Sequence, residues 1–302
     1  MRAAISRCMR SIPLRRGALG ILAAVLILSA LPAQNPAPAN QNPSQKVIQD
    51  PAEYKAYEAA LNAQDAPARA AALEAFATQY PRSVVVADAL EQAMAAWQLI
   101  GNSAKVEAVS RRLLALEPGN VRALALVVAY DRAKATQGDA TVLSEMCLHA
   151  SGGLRELVTW QKPAGMAAAD FTALSRQMAV IFNGASGFCA LQSKDYAEAR
   201  DWFTRVFALD PKSLQDVYQL AVADLEMAPI DPAGFWYCAK AIHLAGATGS
   251  PQAADGFTVY CRARYTGYHG SEDGWDALLA SSTTQSTLPA DIAKRIPPAP
   301  AQ

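Results

Sequence analysis

The residues best suited to acid–base chemistry are concentrated in one polar segment near the C-terminus. They are His269, Ser271, Glu272, Asp273 and Asp276. A histidine oriented by a carboxylate can act as a general base toward a nearby hydroxyl group. The nucleophile-elbow, phosphate-loop and HExxH motifs do not occur in the sequence. The segment therefore predicts either a small hydrolase or ligand-binding site, or an ordinary structural turn.

Cysteines form the second group of chemically active residues. The cysteines that follow the first 33 residues are Cys147, Cys189, Cys238 and Cys261. Cys238 and Cys261 lie almost equally far from the turn near Gly249, so an antiparallel helical hairpin places them at the same height. Helix axes about 9 Å apart then leave Cα atoms close enough for a bridge. The pair is either a disulfide or two buried free thiols, whereas Cys189 is expected in the core and Cys147 has no predicted partner.

The histidines are too few and too poorly spaced to predict a metal site. A zinc site needs four convergent ligands, yet Cys147 and His149 fall on different faces of a helix, and Cys238 and His243 are five residues apart. CxxC and CxxCH motifs do not occur either. The sequence predicts no metal and no cofactor.

The N-terminus has the order of a secretory signal peptide. Five arginines precede an apolar run over residues 18–31, and Pro32 and Ala33 follow it. This run is shorter than the roughly 20 apolar residues of a membrane-spanning helix. We therefore expect a signal over residues 1–33, cleaved after Ala33, and an exported protein that is periplasmic or secreted. The alternative is an uncleaved inner-membrane anchor, which would be the chain's only contact with the membrane.

The rest of the chain shows helical periodicity with short breaks. Residues 34–49 are rich in Pro, Asn and Gln and predict a flexible linker. Asp50 and Pro51 then supply an N-cap and a first-turn proline. Helices are expected over residues 52–63, 67–80, 83–99, 121–135, 141–150, 252–265 and 275–280, with a loop over 151–165 that contains one short helical piece.

The most specific pattern lies between Asn183 and Pro211. Counting back from Pro211, Phe203 stands eight residues earlier, Ala199 twelve and Gly187 twenty-four. A small residue on each helix allows close approach, an aromatic ring fills the gap, and a proline ends the second helix. This spacing resembles the tetratricopeptide repeat (TPR) family.

The resemblance covers residues 50–265, with one specific and several divergent repeats. In the second repeat, Val106 and Ser110 stand where an alanine and an aromatic residue are typical. The resemblance implies an all-α protein of antiparallel helical hairpins stacked as an α-solenoid. Residues 266–302 would then supply a C-terminal cap over the open end and a disordered proline-rich tail.

The resemblance also implies a binding groove. In the family, the first helix of each repeat lines a concave surface that holds a peptide or protein segment. The corresponding positions in this chain are Asp88, Glu91, Gln98, Arg122, Arg132, Gln215 and Tyr218. Their mixed charges suit a polar or charged segment.

Net charge argues against a nucleic-acid partner. The chain carries 27 basic and 27 acidic residues, and loss of residues 1–33 removes five arginines and no acidic residue, which leaves a net charge of −5. The favoured function is therefore a non-catalytic exported scaffold for protein–protein interaction. A membrane-anchored assembly factor is a weaker possibility.

Overall fold

The computed structural model of the protein describes residues 46–300. The predicted export signal over residues 1–33 and most of the predicted linker lie outside the described residues. Within 46–300 the helix is the only regular secondary structure and no β-strand occurs, which confirms the predicted all-α class. The helices pack mainly in consecutive adjacent pairs, as in a helical solenoid.

Thirteen helices occur in the described part of the chain. They are α1 (Pro51–Leu61), α2 (Ala66–Gln79), α3 (Val86–Ile100), α4 (Ser103–Leu116), α5 (Val121–Ala135), α6 (Ala140–Thr159), α7 (Ala168–Ser193), α8 (Tyr196–Leu209), α9 (Leu214–Glu226), α10 (Ala233–Ala247), α11 (Pro251–His269), α12 (Trp275–Thr284) and α13 (Ile292–Arg295).

Local capping explains where many of these helices begin. The first backbone N–H groups of a helix have no partner within it, and a short polar side chain just before the helix can accept from them. Such caps precede α1, α2, α4, α6 and α8; they are Asp50, Asp65, Asn102, Asp139 and Asp195.

The described residues form two compact units, divided between Tyr130 and Asp131. In the N-terminal unit α1 packs on α2, α2 on α3 and α3 on α4. Its core includes Leu73, Leu90 and Leu113, and Leu126 of α5 joins the same cluster.

The C-terminal unit continues the same pairing from α6 to α11. The chain then turns back, since both α12 and α13 pack against α10. Trp275, the first residue of α12, is almost fully buried.

The stretch with the most specific sequence pattern, residues 183–211, lies on helices α7 and α8 and the turn after them. Ala199 and Phe203 of α8 are fully buried. The Phe203 ring lies against Gly187 of α7, where an added Cβ would come within 2.8 Å of the ring. Helix α8 ends at Leu209, two residues before Pro211.

In the segment 151–165, the short helical piece expected around 154–160 is helical as far as Thr159, but the loop expected over 151–153 is wrong. Helix α6 runs without interruption through Gly152 and Gly153 to Thr159. A Cβ at Gly153 would lie 2.3 Å from the ring of Phe182 on α7. This glycine is therefore needed for close packing between helices, and it does not mark a chain reversal.

The C-terminal boundaries also differ from those predicted. Helix α11 extends to His269 and ends at Gly270, whose φ of 88° allows the left-handed cap. Helix α12 extends to Thr284, and α13 was not predicted. In the described part of the expected proline-rich tail, the Ala299 N–H donates to the Tyr268 carbonyl at 2.7 Å.

Candidate functional site

A polar strip runs across the odd-numbered helices of the N-terminal unit. Asp88 and Glu91 lie one turn apart on α3 and therefore share a face. Glu91 accepts from the Arg122 guanidinium of α5 at 3.1 Å. On the other side, Gln92 of α3 donates to the Tyr57 hydroxyl of α1 at 3.1 Å. Side chains from α1, α3 and α5 are thus linked into one surface, which we call the α1/α3/α5 face.

The groups on this face are partly open to solvent. In the Glu91–Arg122 pair, the side chains are 36% and 19% exposed. Gln98, two turns beyond Glu91, is half-buried. Of the predicted groove residues, the structure joins Glu91 to Arg122, and helical periodicity places Asp88 and Gln98 on the same side of α3 as Glu91.

One end of the α1/α3/α5 face is acidic. Lys46 binds Asp88, and this hydrogen bond, together with the nearby charges of Asp88 and Glu117, raises the pKa of Lys46 despite its partial burial. Burial raises the pKa of Tyr57, and the Asp88 carboxylate adds to that shift. The local field therefore favours a bound cation.

The predicted groove residues of the C-terminal unit are engaged differently. Arg132 donates to Asp216 and to Gln219, both at 2.6 Å, and Ser213 donates to the same carboxylate at 2.5 Å. The Arg132 and Asp216 side chains are only 13% and 6% exposed. Arg132 therefore forms a buried ion pair inside its unit, and it does not present its guanidinium as an open surface group.

Tyr218 and Gln215 are the other predicted groove residues of the C-terminal unit. The Tyr218 ring stacks on Phe257 of α11 with centroids 3.9 Å apart, and Tyr260 lies edge-on to it at 6.1 Å. Its aromatic face is thus already used in packing between α9 and α11, whereas Gln215 is exposed.

The segment around His269 does not assemble into one constellation of contacts. His269 Nδ1 lies 2.8 Å from the Pro297 carbonyl oxygen. Ser271 donates to Asp273 at 3.0 Å, and Glu272 pairs with Arg262. These partners hold the turn after α11 in place, and Asp276 is exposed in the first turn of α12.

A cavity of about 540 Å³ lies beside this segment, on the outward side of α11. It is lined by Thr258, Val259, Arg262, Ala263, Thr266, Gly267 and Glu272. His269 is not among these residues, so the cavity does not unite the acid–base groups.

Two disulfides tie neighbouring helices of the C-terminal unit. Cys238 of α10 is joined to Cys261 of α11, with Cα atoms 6.0 Å apart. Cys147 of α6 is joined to Cys189 of α7 at the same Cα separation. The second bridge was not predicted, because the expected end of a helix at Ala150 and the loop after it obscured the α6–α7 hairpin.

Sequence analysis also missed a buried acid. Asp224 on α9 is 1% exposed, and its Oδ1 has no hydrogen-bond partner among residues 46–300. Burial raises the pKa of Asp224 to about 8, with a further contribution from Asp231 that outweighs the opposing charge of Arg200. The signal that could have found it is one carboxylate inside the apolar run between Leu220 and Leu225.

Among residues 46–300, no helix combines the length and the hydrophobicity needed to cross a membrane. Over the same range, no three histidine, cysteine or acidic side chains are grouped so as to hold a metal ion.

No protein-family profile matches the chain, and no curated protein matches it either.

Proposed function

We propose that this chain is an exported, non-catalytic scaffold that binds a segment of a partner protein in the cell envelope. The binding surface is the α1/α3/α5 face of the N-terminal unit. The observation that carries the proposal is the linkage of Glu91 to Arg122 across two helices, with both side chains still partly exposed. Such a pair offers both signs of charge to an incoming polypeptide.

The proposed architecture is a TPR-like α-solenoid. Its support is the consecutive pairing of helices and the close contact of Gly187 with Phe203. These are the contacts that the repeat pattern requires.

The C-terminal segment is proposed to cap the solenoid. Lys240 of α10 donates to the carbonyl oxygens of Ser282 and Gln285 at 3.0 and 2.9 Å. These carbonyls lie at the C-terminal end of α12, where a positive charge is favourable. The contact supports α12 as a cover for α10.

Export is supported by the order of charges and apolar residues over 1–33. The two disulfides agree with this, because disulfides persist in oxidising compartments outside the cytosol.

The partner is proposed to be a polar or charged polypeptide segment, and not nucleic acid. Recognition would rest on Asp88, Glu91, Gln98 and Arg122. Arg132 and Tyr218 are assigned to the interior packing of the C-terminal unit because their functional groups are already bound there.

The test is affinity capture from envelope extract with the full-length chain as bait. The variants are Arg122→Glu and the double exchange Glu91→Arg/Arg122→Glu, which restores an opposite-charge pair while reversing the charge at each position. Arg69→Glu reverses an exposed charge on α2 and serves as the matched control.

We expect a partner that is retained by the wild type and by Arg69→Glu, and that is reduced at least about tenfold by both face variants, which corresponds to about 1.4 kcal/mol. Equal unfolding midpoints would show that folding is unaffected. Recovery of capture in the double exchange would mean that the ion pair is structural, and the binding assignment would fail.

A further inference from the structure

Residues 46–49, which precede α1 and belong to no helix, contact the N-terminal unit. Lys46 Nζ is 2.9 Å from each of the two carboxylate oxygens of Asp88. Ile48 is half-buried and packs against the core cluster of this unit. Val47 and Gln49, which alternate with them, are exposed. Lys46 and Ile48 thus both contact the unit through their side chains.

These contacts are specific in chemistry but weak in energy. The Lys46 and Asp88 side chains remain 44% and 41% exposed, and ion pairs of this kind contribute about 0 to 1 kcal/mol. Ile48 is only partly removed from water. The segment is held chiefly because it is tethered to α1, and a tether of a few residues gives an effective concentration on the order of millimolar.

Lys46 is therefore already paired with one of the acidic side chains of the proposed binding surface. Asp88 belongs to the α1/α3/α5 face, and Glu117 adds a second negative charge nearby. A segment of another molecule that carries the same two side chains, a cation and an aliphatic group, would make the same contacts. It would need a lysine or arginine two residues before an aliphatic side chain.

We propose that residues 46–48 are an intramolecular occupant of the α1/α3/α5 face, and that the partner displaces them with a segment carrying a cation two residues before an aliphatic residue. This inference rests on the proposed function, since it names the chemistry of the segment that the same face would bind.

The test uses a synthetic peptide of residues 44–49 with a fluorine label, titrated in trans and followed by fluorine NMR. The proteins are the full-length wild type, Lys46→Ala/Ile48→Ala, and this double variant with Asp88→Asn added. Val47→Ala is the matched control, because Val47 belongs to the same segment but is exposed. None of the substituted segment positions lies within a helix, and circular dichroism checks that each protein is folded.

We expect the peptide to bind Lys46→Ala/Ile48→Ala about twofold more tightly than the wild type, because the removed competitor has an effective concentration on the order of millimolar, close to the dissociation constant of so weak a contact. Val47→Ala should match the wild type, and Asp88→Asn should abolish the gain. Equal binding to wild type and double variant, or binding to neither, would overturn the inference.

The capture experiment separates this inference from the proposed function. If the peptide fails but the partner is still lost with the Glu91/Arg122 variants, the proposed function stands and only the intramolecular occupant is rejected. If the partner is unaffected by the face variants, the proposed function itself fails.

Discussion

Gly187 and Phe203 are in direct contact across the α7–α8 hairpin, with no space for a side chain between them. A Cβ on residue 187 would lie 2.8 Å from two carbons of the Phe203 ring. Since Phe203 is fully buried, the ring has no open direction in which to move.

Gly187→Ala is therefore expected to destabilise the protein. Forcing a methyl group into a close-packed helix contact costs about 1 to 3 kcal/mol, which exceeds the gain of about 0.5 to 1 kcal/mol from replacing a helical glycine. Urea denaturation measures the difference in unfolding free energy.

Gly256→Ala provides the control for that substitution. Gly256 lies within α11, and nothing stands within 4 Å of the position its Cβ would take. The same change is expected to stabilise the protein here. Equal effects of the two variants would show that the Gly187 contact does not limit packing.

Local signals were sufficient to predict most helices, because they depend on neighbouring residues. Asp50 accepts from the Ala52 N–H at 2.8 Å, as the Asp-Pro start predicted. Gly153 was misjudged because its role depends on Phe182, which is 29 positions further along the sequence. A glycine needed for helix contact and a glycine in a loop look the same until the partner is known.

The candidate site was predictable only in part, for the same reason. Placing Asp88 and Glu91 on one face requires only helical periodicity, and the structure puts them there. Arg132 occupies a comparable position on α5, but its partner Asp216 is 84 residues away. Nothing local distinguishes an arginine on a surface from one that closes a distant ion pair.

The buried carboxyl of Asp224 predicts a dependence of stability on pH. Its pKa in the folded protein is raised to about 8, whereas an unfolded aspartate titrates near about 3.9. Between these values the folded state keeps a proton that the unfolded state has lost. The free energy of unfolding should therefore fall as pH rises through this window, by up to about 1.4 kcal/mol per unit.

Asp224→Asn removes the ionisation and keeps the shape of the side chain. The variant is expected to lose this pH dependence, so its stability relative to the wild type should increase from about pH 5 to about pH 8. Denaturant titrations at both values measure the change, with Asp255→Asn, an exposed position on α11, as control. A wild-type stability that rises across the same range would contradict the prediction.

The two disulfides are expected to differ in their accessibility to reductants. Cys238 and Cys261 are fully buried, whereas Cys147 and Cys189 are partly exposed. Under mild reduction, alkylation followed by peptide mass mapping should therefore find Cys147 and Cys189 modified first. Modification of Cys238 before Cys147 would reject this order.

Loss of either bridge should also lower stability. The bridges span 23 and 42 residues, and chain entropy predicts a cost of about 3 to 4 kcal/mol for each. Cys238→Ala/Cys261→Ala and Cys147→Ala/Cys189→Ala test this by thermal unfolding.

Arg122 and Arg132 lie on the same helix, α5, but should respond very differently to replacement by methionine. Arg132→Met would leave the Asp216 carboxylate, which is 6% exposed, without its guanidinium. Breaking a buried ion pair in this way typically costs about 3 to 5 kcal/mol. Arg122→Met breaks a pair that is open to water, and such pairs contribute only about 0 to 1 kcal/mol.

Measuring both variants by urea denaturation and by partner capture separates a structural role from a binding role. Arg122→Met should keep its unfolding free energy and lose the partner. Arg132→Met should lose stability, and the double variant Arg132→Met/Asp216→Leu should regain part of it, because the unpaired buried charge is gone. A stable Arg132→Met that no longer captures the partner would instead place Arg132 in the binding surface.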